Sequence, residues 1–135
     1  MAIELRNRSW AKRERLERTL GWLEDHGAAW VAVDAPHDDH FTIMPSVDAV
    51  TNPRVAYLRA HGRNREGYVR GRSVADRFAW RYADEELEEI GARARELAGK
   101  AETVRLMFNN NRGSDAPVAA ERMRELLGQT AGAPG

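Results

Sequence analysis

Cysteine is absent from the 135 residues. That excludes a disulfide framework and thiolate chemistry, and it fits a reducing compartment. A net charge of either sign is also absent: 21 basic and 21 acidic residues balance to a formal zero. No global basic field argues for bulk nucleic-acid binding, and no acidic field argues against it. No apolar run approaches the ~20 residues of a membrane-spanning helix, and MAIELRNRSW at the start lacks the apolar stretch of a signal peptide. No leader is therefore expected, and the expectation is a soluble cytoplasmic protein that meets no membrane. There is no repeat at a solenoid period and no low-complexity segment. The length suits one domain.

What is present is an alternation of strand-like and helix-like stretches. Ala2 to Arg6 alternates and reads as a strand. Ser9 suits the cap of a helix that starts near Trp10, with Leu16, Leu20 and Leu23 at helical spacing and His26-Gly27 as its stop. Ala29 to Val33 is an unbroken apolar run closed by Asp34, the pattern of a parallel strand covered on both faces. Ala35 to Pro53 reads as a long loop, Val55 to His61 as a third strand, and Gly62 to Trp80 as a second long loop rich in Arg and Gly.

Ala83 to Lys100 carries the plainest helical pattern. Acidic residues cluster at its start and Arg93, Arg95 and Lys100 lie towards its end, as the helix dipole favours, and Leu87, Ile90, Ala94 and Leu97 form its apolar stripe. Thr103 to Phe108 is a fourth strand and Asn109 to Gly113 a turn. Pro117 suits the first turn of a last helix lined by Met123, Leu126 and Leu127. The order β-α-β-loop-β-α-β-α predicts an α/β fold: four parallel strands with three outer helices over residues 1–128, and a disordered tail over 129–135.

Side chains alternate across a strand. In the third strand Ala56, Leu58 and Ala60 are expected to face the helices and Tyr57, Arg59 and His61 the other side. The same logic sends Ile3 and Leu5, Val31 and Val33, and Val104, Leu106 and Phe108 towards the helices. It leaves Glu4, Arg6, Trp30, Ala32, Asp34, Arg105, Met107 and Asn109 on the inner face. The charges then converge at the strand C-termini, where α/β proteins build their sites.

At these residues the chain resembles a known family. ELRNRSW, WVAVDAP, VAYLRAHGRNREGY, FAWRYADEELEEIGARARELA and VRLMFNNNRGSDAPVAAERMRELL are similar, in that order, to the C-terminal half of the domain-of-unknown-function 72 family. The resemblance covers nearly the whole chain and implies a (β/α)₈ TIM barrel fold with no settled activity. The resemblance implies that these strands correspond to strands five to eight, and a full barrel needs roughly 250 residues. A half-barrel is expected, from a truncated gene, a fragment or a split annotation. The family pattern has His where this chain has Asn7 and Asn111, so chemistry resting on either His would be lost here.

Three functional classes remain open. The first is an enzyme doing acid/base or hydrolytic chemistry on a small, possibly phosphorylated substrate. His61, Arg59, Glu4 and Asp34 would be its catalytic set, and Arg6, Arg63, Asn64, Asn109 and Asn110 its substrate-binding residues. The second is a nucleic-acid-binding module that uses Arg63, Arg65, Arg70 and Arg72 interleaved with Tyr68. The third is an inactive half whose exposed edges, Ala2 to Arg6 and Thr103 to Phe108, need a partner: a second copy or a separate N-terminal half-barrel. No cofactor is expected. Glu4, Asp34 and His61 are residue types that bind a hard divalent metal, but salt bridges to Arg6, Arg59 and Arg105 are the simpler reading. His37-Asp38-Asp39-His40 reads as a solvated turn rather than a metal site.

Overall fold

The computed structural model describes residues 1–110 and 113–128. The turn residues Asn111 and Arg112 and the tail expected at 129–135 lie outside that description. Strands β1 (Ala2–Ile3), β2 (Ala29–Asp34), β3 (Val55–Ala60) and β4 (Thr103–Phe108) form one sheet in sequence order, and every pairing is parallel. Helices α1 (Arg13–Asp25), α4 (Asp84–Ala98) and α5 (Asp115–Leu126) are the three outer helices expected. Two short helices, α2 (Arg65–Arg70) and α3 (Val74–Phe78), lie between β3 and α4.

The fourth helix forms where the sequence places it, whereas Ser9 does not cap α1: Ser9 lies in a 3-10 turn, Arg8–Ala11, whose cap is Asn7, and α1 starts at Arg13 without a side-chain cap. Leu87, Ile90, Ala94 and Leu97 of α4 are buried in one core with Ala56, Leu58 and Ala60 of β3. Gly27 follows α1 at φ 63°, and the Ala83 amide donates to Glu86 Oε1 at 2.9 Å before α4. β1 is shorter than Ala2 to Arg6 would suggest. It has a neighbour on one side only, and beyond Ile3 the chain turns onto the next loop, where the Arg8 amide donates to the Phe41 carbonyl at 2.7 Å.

The register corrects one strand's orientation. Residues paired across a parallel ladder project to the same face. Val31 and Val33 pair with Tyr57 and Arg59, whereas Ala32 pairs with Leu58 and Asp34 with Ala60. Val31 and Val33 therefore face inward, and Trp30, Ala32 and Asp34 face the helices, opposite to expectation. All six residues of β2 are buried, so the sequence offers no alternation from which to read its phase. The other strands sort as expected: Ile3 pairs with Trp30, and Val104, Leu106 and Phe108 pair with Ala56, Leu58 and Ala60.

The second correction concerns Gly62 to Trp80, which is not a plain loop. Asn64 Oδ1 accepts from the Gly67 amide at 3.0 Å and starts α2, while Ser73 Oγ accepts from the Asp76 amide at 3.1 Å and starts α3. Tyr68 and Phe78 then form a small second core with Ile43. Gly62 leaves β3 at φ 94°, and a Cβ there would sit 2.6 Å from Trp80 Cβ, so this turn requires glycine. The loop after β2 stays irregular but is tied down: Thr51 Oγ1 donates to the Ala28 carbonyl at 2.6 Å, and Trp30 Nε1 donates to the Val47 carbonyl at 2.9 Å.

Candidate functional site

The strand ends carry two separate carboxylate clusters. Glu4, just past β1, is the hub of the first. Its Oε2 accepts from Arg6 Nε at 2.8 Å, and its Oε1 accepts from Arg59 Nη1 at 2.9 Å and lies 3.3 Å from His61 Nε2. Arg59 Nε in turn donates to Asn109 Oδ1 at 3.0 Å. Three strand ends thus meet: Glu4 and Arg6 follow β1, and Arg59, His61 and Asn109 lie on the inner face at the ends of β3 and β4 by simple alternation.

Burial alone would push the Glu4 carboxyl up. The hydrogen bond and attraction of His61, then the charges of Arg59 and Arg6, outweigh burial and hold it at about 2. Glu4 is therefore ionised across the neutral range and can only accept. The hydrogen between the pair must sit on His61 Nε2, which fixes the tautomer of a neutral ring and leaves Nδ1 as its lone-pair nitrogen. His61 is only 4% exposed, and Nδ1 is buried without a hydrogen-bond partner among the described residues. The ring stacks on Phe78 with centroids 5.0 Å apart. Glu4, Arg6, His61, Tyr68, Arg77 and Phe78 line a cleft that encloses about 20 Å³, room for about one water molecule.

Asp34 does not join this cluster. Its side chain follows the helix-facing phase of β2 and centres a second network. Arg63 donates to both its oxygens at 3.0 and 2.9 Å, Tyr82 Oη donates to Oδ2 at 2.7 Å, and Arg93 lies 3.6 Å away. Burial, then the Asp34 charge and hydrogen bond, push the Tyr82 phenol far up. Arg63 also pairs with Glu89 at 2.9 Å. Its guanidinium is held above its usual range by Asp34 and Glu89 despite burial, which opposes the shift. This network joins β2, the β3 turn and α4.

The remaining expected binding residues are likewise engaged by the protein itself. Asn64 caps α2, and its amide donates to the Ala79 carbonyl at 3.0 Å. Asn110 is fully buried and donates to the Trp80 carbonyl at 2.8 Å. The arginines of the expected nucleic-acid loop are dispersed: Arg63 turns to Asp34, Arg65 to Asp38, and Arg70 lies 3.9 Å from Glu66. A row of free guanidiniums of the kind that grips phosphates in series is not what α2 presents. Arg105 is exposed on the open inner face of β4 rather than paired with Glu4 or Asp34.

Among the described residues, no group of three or more His, Asp or Glu side chains is disposed to hold a metal ion. Asp38 in the His37 to His40 turn accepts from the His40 amide at 2.8 Å, and no helix among the described residues is long and apolar enough to cross a membrane.

Sequence reasoning missed Arg77 and Phe78, and it assigned Tyr68 to a nucleic-acid surface rather than to this cleft. Burial, opposed by Arg77 and Arg6, pushes the Tyr68 phenol up to about 12, and the Arg77 guanidinium lies 5.0 Å from the Tyr68 ring centre. The available signal was Ser73, a helix-capping residue just ahead of an aromatic-bearing turn, inside what reads as a loop.

Comparison with known proteins places this geometry. The family model described as "Protein of unknown function DUF72" matches residues 1–134. The chain is 33% identical over 130 residues to the UPF0759 protein YunF of Bacillus subtilis, covering 93% of this chain and 46% of that protein. It superposes on a crystal structure of a DUF72 family protein from Enterococcus faecalis with TM-score 0.87 at 30% identity, over 96% of this chain and 47% of that one. A DUF72 family protein from Thermotoga maritima gives TM-score 0.81 at 27% identity, over 95% and 46%. The chain thus spans about half the length of the relatives it matches.

Proposed function

The chain belongs to the DUF72 family, and on that premise we propose that it forms one wall of an acid/base site acting on a small molecule at the C-terminal ends of its strands. His61 is the proton-transfer group through Nδ1. Glu4 orients the ring through Nε2 and opposes the charge the ring gains when Nδ1 takes a proton. Arg59, braced by Asn109, positions Glu4. A substrate X–H bond, or a water molecule, gives its proton to Nδ1, leaving an imidazolium beside a carboxylate. Such transfer contributes typically ~10²- to 10⁴-fold in rate.

The observation that supports this reading is a buried ring with one nitrogen held by an ionised carboxylate and the other without a partner. Nitrogen-15 long-range NMR on the full chain tests it. An Nε2–H tautomer for neutral His61 is expected, lost in Glu4→Gln; an Nδ1–H tautomer overturns the assignment.

We propose further that the wall works against a second four-stranded half of the kind its relatives carry. β1 and β4 are both sheet edges, and each borders an apolar groove. One, about 440 Å³, includes Ile3, Leu5, Trp10 and Trp22; the other, about 540 Å³, includes Val104, Leu106, Phe108 and Met123. The charged residues lining the first are Arg15 and Arg18, and those lining the second are Arg95 and Arg124, with no acid in either. Two copies closing edge to edge would bring these basic rims together. The favoured occupant is therefore a different β/α half with acidic rims.

A further inference from the structure

We propose that Arg77, together with Arg6, is an anion clamp beside His61, and that the cleft, with room for about one water-sized atom, receives an oxygen of a carboxylate or phosphoryl group carried by the molecule on which His61 acts. The proposal rests on the acid/base reading of His61 and adds the class of ligand. Three other arginines of this loop, Arg63, Arg65 and Arg70, lie beside carboxylates. Arg77 is different. It makes no ion pair among the described residues, and its Nε is buried without an acceptor. Its guanidinium is held by rings instead, 5.0 Å from the Tyr68 centre and 5.8 Å from that of Phe78.

A guanidinium fixed against aromatic faces keeps its fork of N–H donors in a constant plane, which suits the paired oxygens of a carboxylate or phosphate. Arg6 lines the same cleft. It meets Glu4 through Nε, and its side chain is 56% exposed. Glu4 is the one carboxylate lining the cleft and faces two guanidiniums, so the cleft carries surplus positive charge before any ligand arrives.

His61 and Arg77 both line this small cleft, and each carries one buried nitrogen without a partner among the described residues, Nδ1 and Nε. A buried N–H without an acceptor is uncommon in folded proteins and asks for an occupant. The first is a lone-pair acceptor in the neutral ring and the second a donor. A ligand bearing an oxyanion beside an acidic O–H or C–H satisfies both at once: the anion takes the Arg77 N–H, and the acidic hydrogen faces Nδ1. No covalent step is required for binding.

The test uses the full chain labelled with nitrogen-15, titrated in separate arms with inorganic phosphate and with acetate against chloride at matched ionic strength. The expected result is a saturable shift of the Arg77 Nε–H resonance and of the His61 ring in at least one arm. The arm that responds separates a phosphoryl from a carboxylate ligand, and a response in both supports the shared chemistry. Arg77→Gln is expected to weaken binding at least about tenfold. Arg77→Lys, which keeps the charge and loses the fork, is expected to restore only part of it, both variants having unchanged circular dichroism. Shifts no larger than those from chloride, or an affinity unmoved by Arg77→Gln, overturn the clamp. Failure here with an Nε2–H His61 leaves the acid/base reading standing. Anion binding beside an Nδ1–H ring leaves the clamp and removes the base.

Discussion

His61 Nε2 lies 3.3 Å from Glu4 Oε1, although 57 residues separate the two in sequence. The contact spans three neighbouring strand ends, because β1 pairs with β2 and β2 with β3 while the backbone amide of His61 donates to the Asp34 carbonyl at 3.0 Å. Histidine and glutamate are thus held by the sheet itself, and each remaining oxygen or nitrogen of the pair acquires a defined direction.

The first prediction follows from the ionisation of Glu4. Its folded carboxyl lies at about 2, below the ordinary 4.5. A depressed folded value means that stability is fully present above about 4.5 and is lost as the pH falls towards about 2. Urea unfolding at several pH values is expected to show up to about 3 kcal/mol of acid sensitivity from this group. Glu4→Gln should abolish that component; an unchanged slope between those pH values would show that Glu4 ionises alike in the folded and unfolded chain.

Gly62 and Gly21 make an opposed pair. Gly62 has φ 94° and no room for a Cβ beside Trp80, whereas Gly21 sits within α1 with nothing within 4 Å of the added atom. Gly62→Ala is expected to cost about 2 kcal/mol or more. Gly21→Ala is expected to add about 0.5–1 kcal/mol. Thermal or urea midpoints of the two variants should move in opposite directions.

Asn64 stands at the entrance to α2, where it accepts from the Gly67 amide and donates to two carbonyls around α3. Asn64→Ala should cost about 1 kcal/mol. More specifically, hydrogen exchange should quicken across 64–79 while the amides of β3 and α4 keep their protection. Uniform acceleration across the sheet would show that the two short helices are not a separate cooperative unit.

The grooves beside β1 and β4 predict an unusual salt response. Their rims are Arg15 and Arg18 in one case, Arg95 and Arg124 in the other. Self-association of this chain should therefore be weak at low ionic strength and strengthen as salt screens the like charges. Sedimentation equilibrium across a salt series is the measurement. A tight dimer that loosens with salt would mean that two copies meet through opposite charges, and the proposed non-identical half would lose its support.

Much of this arrangement was readable from residue order. β3 and α4 announce themselves because polar and apolar residues alternate at the period of each element, and that alternation alone sends Arg59 and His61 away from Leu58. β2 announces its existence but not its phase, since every one of its six residues is buried and hydrogen-bond register decides which way Asp34 turns. The short helices were hidden by their Arg and Gly content. Neither is long enough to show a period, and each is specified by a cap and one aromatic anchor. Arg77 carries no local mark at all. Its significance arises from what β1 and β3 bring beside it.

The separation of the two carboxylates has a consequence for how this scaffold can diverge. Asp34, with Tyr82, Arg63 and Arg93, acts as a rivet between sheet and helix, and none of its oxygens is shared with Glu4. Side chains of the Glu4 cluster can therefore be replaced without loosening that rivet, which leaves the frame intact under change at the rim.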